Sequence, residues 1–414
     1  MKFWKIFLWS WKGLHRILLI VAIVMSLFIV LFTLYNNHFS PPSSCARQSP
    51  PPVSPTVPTT CSPHWDLLFL KTHKTGSSTL LNILLRYSER HGLTFAFPSG
   101  GRHDFYYPSF FSPTFVSGYS PSSCFNVLAN HMRFDAGEVE RIPPRERLYF
   151  TILRFPSHLF ESSFRYYGPI IPLTWSLPGP DKMATFLHQP WAFYRPGAFN
   201  AHYLRNLQFF DLGFDKDMDP SHPALPGILR SIEERFSLVM LMEYFDESLV
   251  LLKDVLCWEL EDILYLPHNS REQESVAPLV PKMEELALLW NHLDYLLYRH
   301  FNHTFWAKVE TFGRLRMAQE LARLRWANAK LVEACVEGGR AVRGGLVREA
   351  SLRPWQPVGG DGTIIGYNLK HGLEGPQRQL CQDILTPELQ YMSRMGANLW
   401  RVKVWAAVRG ILRW

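Results

Sequence analysis

The chain has 414 residues, 47% of them hydrophobic and 19% charged, with a formal net charge of +7. The positive charge is dispersed, without a long basic tract, which argues against nucleic acid as a partner and suits a small anionic ligand. The six cysteines contain no Cys-x-x-Cys and no paired His/Cys spacing, which excludes the usual zinc-site patterns.

Lys2, Lys5, Lys12 and Arg16 precede residues 17–35, a segment almost free of polar groups. As a helix it would span roughly 28 Å, close to the hydrocarbon thickness of a bilayer. The pattern predicts a cytoplasmic tail over 1–16 and a transmembrane signal-anchor helix over 17–35. The basic residues lie before the span, so the rest of the chain is expected on the far side. A cleaved signal peptide is the rival reading, but the apolar run is long for one and no Ala-x-Ala site follows it. Residues 36–64 are rich in Pro, Ser and Thr and read as an extended stalk. Residues 65–414 remain for one α/β catalytic domain with helical additions toward its end. Cys45, Cys61, Cys124, Cys257, Cys335 and Cys381 all follow the span, where an oxidising lumen permits disulfides among them. Asn302-His303-Thr304 is an N-glycosylation acceptor if this side is luminal.

Leu67–Leu70 reads as a buried strand, and the run Leu80, Leu81, Ile83, Leu84, Tyr87, stopped by Gly92, reads as a helix. Between them lies Lys71-Thr72-His73-Lys74-Thr75-Gly76-Ser77-Ser78-Thr79. A strand, a small-residue loop and a helix N-terminus make an anion site, because backbone N–H groups and the helix dipole both favour negative charge there. Lys74 adds a cation, and Ser77, Ser78 and Thr79 add hydroxyls. No Gly-Lys-[Ser/Thr] follows the glycine, so the loop fails the nucleotide P-loop pattern.

Phe125–Ala129 reads as a second strand, with His131 just past its end. Leu148–Leu153 is the strongest strand in the chain. Arg154 sits at its C-terminal end, Pro156 can open a helix, and Ser162 lies on that helix. Ligands of open α/β sheets bind off the carboxyl ends of strands. Arg154 and Ser162, eight positions apart, can therefore close on one phosphate, for which the guanidinium fork is suited. A strand-end arginine by itself is more often in a surface ion pair. Ser237–Met242 reads as another strand, and 247–257 and 283–332 as helical. In the last sixteen residues, helical spacing gathers Trp400, Trp405, Val408, Ile411 and Leu412. This fits either an interfacial helix among basic residues or a helix docked on the domain.

The Lys71–Thr79 loop is similar to the 5′-phosphosulfate loop of sulfotransferases, with His73 where many members carry proline. The Arg154/Ser162 pair resembles their 3′-phosphate motif, although Phe155 replaces the usual polar residue. Together with Asn130–Phe134, Phe160–Phe164, Phe199–Asn206, Glu243–Lys253 and Gly396–Trp400, these segments resemble the galactose-3-O-sulfotransferase family from about Trp65 to Trp414. The resemblance implies a sulfotransferase-type, P-loop-like α/β fold with a central, mostly parallel sheet flanked by helices. It implies 3′-phosphoadenosine 5′-phosphosulfate as sulfate donor, without a metal, held by Lys71, Thr72, Lys74, Thr75, Gly76, Ser77, Ser78, Thr79, Arg154 and Ser162. It implies a type II protein of the Golgi membrane that sulfates the 3-OH of galactose, and a homodimer is a further expectation. The first acceptor to consider is galactosylceramide, and the alternative is galactose on N- or O-linked glycans. Lys74 is then the cation for the bridging oxygen, His131 the favoured base, and His73 an accessory or sharing partner. A kinase would need a Gly-Lys-[Ser/Thr] loop and an Mg²⁺-binding aspartate. An inactive luminal glycan-binding protein would not need Lys74, His131 and Arg154.

Overall fold

The computed structural model describes residues 61–272, 279–356 and 364–412. The expected cytoplasmic tail, the 17–35 span and all but the end of the stalk lie outside these residues. Among the described residues no helix is long and apolar enough to cross a membrane.

Two runs that are apolar on both faces make the centre of the molecule. Strand β1 (Leu67–Leu70) is wholly buried, and β4 (Leu148–Leu153) is buried beyond its first residue. Such strands need cover on both sides, which is the condition of a parallel sheet between helices. They pair in parallel, with Leu67 opposite Leu148 and Leu70 opposite Thr151. Thr151, the polar residue of β4, donates its hydroxyl to Leu70 O at 2.9 Å, so the buried oxygen costs nothing unpaired. With β2 (Phe95–Ala96), β3 (Val127–Leu128) and β5 (Leu238–Leu241) the sheet has the order β2-β3-β1-β4-β5, parallel throughout. The helices Ser77–Arg90 and Phe245–Leu256 follow β1 and β5 and, with His292–Phe312, cover it, while Pro156–Tyr167 follows β4 and packs in a flanking core. The chain therefore leaves β1, β3 and β4 along one edge, where residues 71–76, His131 and Arg154 lie. The expected sheet-and-helix fold is the one observed. A small separate ribbon, Val342–Arg343 with Ile365–Gly366, is antiparallel.

Residues 283–332, whose period reads as one helical stretch, form three helices: Pro281–Trp290, His292–Phe312 and Arg314–Cys335. The first break is at Asn291, whose side chain accepts from Asn206 N and donates to Ala287 O, both at 2.9 Å. The second is at Gly313, with φ 98°. A hydrophobic period cannot register either break. Asn302 lies within the His292–Phe312 helix and is half-buried, rather than on the surface loop that its triplet implies.

Two smaller cores flank the main one. Phe160, Phe164, Phe186, Leu204 and Trp290 pack together on one flank. Cys335, Tyr367, Cys381 and Ile384 pack on the other, closed by the Cys335–Cys381 disulfide. Cys61–Cys257 ties the segment before β1 to the end of the Phe245–Leu256 helix.

Gly213 adopts φ +95°, and a Cβ there would run into the carbonyl oxygen of Phe134. This close approach lets Phe134 N donate to Asp211 O at 2.9 Å, which joins the strand-end segment of His131 to the helix Leu207–Asp211. Gly213→Ala is expected to destabilise the protein by about 1–3 kcal/mol, from strain and overpacking together. Gly227→Ala, in the open face of the Leu225–Arg235 helix with nothing near its would-be Cβ, should be neutral or stabilising. Calorimetric melting of the two variants checks the contrast, and equal Tm values would refute it.

Candidate functional site

The loop after β1 is folded by its own hydroxyls. Thr72 Oγ1 donates to Ile152 O of β4 at 2.5 Å, and Thr75 Oγ1 lies 2.9 Å from Thr72 Oγ1, toward which it donates. Ser77 Oγ donates to Thr72 O at 2.7 Å. Ser78 Oγ donates to Glu388 Oε2 at 2.9 Å, and Thr79 Oγ1 accepts from His268 N at 2.9 Å. The loop hydroxyls expected at the ligand thus have internal partners that set the loop's shape. Lys74 and Gly76 have φ of 59° and 75°, left-handed turns on either side of Thr75. Such turns curl successive N–H groups toward a concavity at the start of the Ser77–Arg90 helix, where Thr79 N already donates to Gly76 O at 3.0 Å. Gly76 meets the second requirement as well, since a Cβ there would press on Met242 Sδ.

Cations converge on this loop. Lys74 Nζ stands 3.6 Å over the ring of Tyr166. Burial, then the nearby charges of Arg154, Arg271 and Lys71, push the Lys74 amine down to about 7. Arg154 donates from Nη1 to Lys74 O at 2.9 Å. Its backbone is clasped by the buried Gln208, which accepts from Arg154 N at 2.6 Å and donates to Arg154 O at 3.0 Å. Ser162 is buried on the helix that begins at Pro156, as its spacing implies. The neighbouring Glu161 accepts both arms of Arg271, at 2.9 and 2.6 Å. Burial works against the Glu161 charge, but Arg271 and Arg165 outweigh it and hold the carboxyl below its ordinary value.

Lys71 points to the opposite side of the loop. Its Nζ donates to His131 Nε2 at 2.8 Å and pairs with Glu388 Oε2 at 3.1 Å. His131 Nδ1 lies 2.8 Å from Lys71 O, and a carbonyl only accepts, so Nδ1 carries the ring proton and Nε2 the lone pair. Burial, with His73 and Lys71 beside it, holds the His131 ring well below the ordinary histidine range. The ring is neutral, and its lone pair is taken by an ammonium.

His73 stacks on His131, with ring centroids 3.9 Å apart and an interplanar angle of 8°. Its Nδ1 faces both oxygens of Asp211 at 3.0 Å, and its backbone N donates to Asp211 Oδ2 at 2.8 Å. Nδ1 therefore carries the proton, and Nε2 is engaged by no described residue. Asp211 is fully buried and also accepts the Tyr107 hydroxyl at 2.7 Å. Charge-assisted bonds of about 1.5–3 kcal/mol each offset the desolvation of such a carboxylate. Asp294 fixes the short helix that bears it, accepting from Gln208 N at 3.2 Å and Phe209 N at 2.8 Å. Burial pushes the Asp294 carboxyl up to about 7.

The structure thus brings Lys71 to Thr79, His131, Arg154 and Ser162 to one sheet edge, while Asn302 is not part of this network. Sequence reasoning missed Asp211, Glu388, Arg271 and Tyr107. Asp211 carries a signal, an acid inside the apolar run Phe209-Phe210-Asp211-Leu212, where a charge must be partnered. Among the described residues, no group of three or more His, Cys, Asp or Glu could hold a metal ion.

The model of the family described as galactose-3-O-sulfotransferase matches residues 8–399. The chain is 48% identical to galactosylceramide sulfotransferase of Bos taurus and 47% identical to that of Homo sapiens, over 98% of this chain and 98% of each relative. It is 41% identical to galactose-3-O-sulfotransferase 2 of Sus scrofa over 80% of this chain and 84% of that one. No solved structure matches the chain. With the anion loop, Arg154 and Ser162 set at one sheet edge, and a family match spanning nearly its whole length, the chain belongs to the galactose-3-O-sulfotransferase family.

Proposed function

We propose that the chain transfers a sulfuryl group from 3′-phosphoadenosine 5′-phosphosulfate to the 3-hydroxyl of a terminal β-galactose, with galactosylceramide as its acceptor. The observation that carries the chemistry is a histidine–aspartate dyad set beside a cluster of under-neutralised cations. The choice of acceptor rests on the end-to-end similarity to galactosylceramide sulfotransferases. Similarity to galactose-3-O-sulfotransferase 2 is lower and covers less of the chain.

The cation cluster fits a donor of this charge. Burial, and after it the like charges of its neighbours, push the Lys74 amine down to about 7, and a bound phosphosulfate would offset the like-charge part. Lys74, the loop amides and Arg271 would hold the 5′-phosphosulfate, and Arg154 with Ser162 the 3′-phosphate. The bound donor supplies the sulfuryl group. Transfer asks the protein for an in-line hydroxyl and for charge on the leaving oxygen to be neutralised. Lys74 meets the second demand. For the first, His73 is the better base. Asp211 holds its Nδ1–H, leaving the Nε2 lone pair to take the proton of the galactose hydroxyl, and the carboxylate stabilises the imidazolium that forms. His131, the residue favoured by sequence, has its lone pair filled by Lys71. In this reading it positions Lys71 and supports the His73 ring.

The same reading places the protein as a type II protein of the Golgi membrane with the catalytic part luminal. The apolar segment over 17–35 and the disulfides Cys61–Cys257 and Cys335–Cys381 support this, since such bonds persist in oxidising compartments.

Incubation with labelled sulfate donor and a panel of galactosides tests the function. Sulfate on C3 of galactosylceramide is the expected product, and product confined to glycan galactosides would overturn the acceptor. His73→Ala is expected to lower kcat by about 10²–10⁴-fold, with the affinity for 3′-phosphoadenosine 5′-phosphate nearly unchanged. Asp211→Asn should behave similarly, because an amide no longer imposes the tautomer. His131→Ala should keep more turnover than His73→Ala, and the reverse order would return the base role to His131.

A pH dependence follows from Lys74. Its amine titrates at about 7 in the free protein and must rise toward ordinary lysine values beside a bound anion. Binding therefore takes up a proton above that pH. Between pH 7 and pH 9 the affinity for 3′-phosphoadenosine 5′-phosphate should fall, approaching about tenfold per unit. Calorimetry in buffers of different ionisation enthalpy should show the uptake, and Lys74→Ala should abolish it. A flat wild-type profile would contradict the assignment.

A further inference from the structure

The last helix, Trp400–Leu412, begins where the core ends. Ala397 and Leu399 are buried, and Trp400 is half-buried against Gly101, where a Cβ would collide with its indole. Beyond this anchor Val402 still packs on the main core. Over residues 401–408, Arg401, Lys403, Val404, Trp405, Ala406 and Ala407 are exposed, and Val402 and Val408 are partly covered. Trp405 keeps 45% of its surface and Val404 44%. A helix docked along its length on its own domain hides one stripe of side chains, and over 401–408 most side chains are exposed.

The composition of the segment says what covers it. Residues 389–414 contain no Asp or Glu, while Arg401, Lys403, Arg409 and Arg413 punctuate its apolar residues. Among the described residues neither Arg401 nor Lys403 forms an ion pair, so their charge is available to an outside anion. Thirteen residues make about 20 Å of helix, too short to cross a bilayer but suited to lying in its surface. Tryptophan beside lysine and arginine, without acids, is the composition of helices that seat in the headgroup region of anionic lipid.

The anchor also lies close to the candidate site. Gly101 belongs to the loop whose Asp104 bridges His131 in parallel, and Phe105 N donates to His131 O at 2.8 Å. We propose that the Trp400–Leu412 helix is a bilayer-docking element that binds anionic lipid headgroups and holds the His73–His131 edge of the sheet at the membrane surface. The docking itself is independent of the acceptor proposed above. Its effect on catalysis rests on that reading.

The test uses the full chain reconstituted into phosphatidylcholine vesicles with and without phosphatidylserine. An environment-sensitive fluorophore on a Trp405→Cys variant should brighten and shift to the blue with the anionic lipid, and Lys403→Glu or high salt should reverse the change. In the unlabelled chain, Arg401→Glu and Lys403→Glu should each lower sulfation of galactosylceramide in anionic vesicles by about fivefold. Sulfation of a water-soluble β-galactoside should hardly move, and Tm should be unchanged because both side chains are exposed. Emission that ignores the lipid, or equal loss on both acceptors, would overturn the proposal. So would an emission change that tracks self-association instead of lipid. If no galactoside is sulfated, the proposed reaction fails, while the fluorescence still decides the docking.

Discussion

The structure depends on like charges held together. Lys71, Lys74, Arg154 and Arg271 gather at the ends of β1 and β4, and a protein that places cations this closely must stabilise them or let one lose its proton. It does both. Glu388 takes Lys71 and Glu161 takes Arg271, each within 3.1 Å or less. Among the described residues Lys74 has a tyrosine face and no ion pair, and its amine is pushed down to about 7. The β1–β4 register sets the arrangement, because it fixes Lys71 and Arg154 one residue past the end of adjacent strands. The Thr72–Ile152 bond then locks the loop of one strand to the backbone of the other.

The two histidines show how identical side chains acquire different chemistry from their second nitrogen. His73 is buried and His131 half-buried, and their rings are stacked. His131 turns Nδ1–H to a carbonyl and Nε2 to an ammonium, which uses both nitrogens. His73 turns Nδ1–H to a carboxylate, which leaves Nε2 free to accept and supplies the negative charge that a protonated ring would need. Position beside the loop after β1 did not distinguish them, and hydrogen-bond partners do.

What could be read in the sequence was whatever is local. The strand–loop–helix of residues 67–90, the strand Leu148–Leu153 with Arg154 at its end, and the helix opened by Pro156 each announce themselves within a dozen residues through period, punctuation and residue type. The counter-charges are not local. Asp211 meets His73 across 138 positions and Glu388 meets Ser78 across 310. No spacing rule links such pairs. Arg271 sits in a polar stretch that looks like any surface loop. The breaks at Asn291 and Gly313 escaped for a related reason: one uses a side-chain bond to a distant backbone, the other a left-handed turn, and neither disturbs the apolar period around it.

The Cys335–Cys381 disulfide closes a small core well away from the sheet, yet the chain continues from it directly into the site. Asp383 and Thr386 offer their carbonyls to Asn82 of the Ser77–Arg90 helix, each at 3.0 Å, and Glu388 follows two residues later with Lys71 and Ser78 as its partners. The counter-ion of Lys71 thus hangs from a covalent tether. With the disulfide reduced, the segment would keep its hydrogen bonds but lose that anchor, and the counter-charge beside Lys71 would be held less firmly. Closing the bond therefore finishes the electrostatics of the loop as well as the fold.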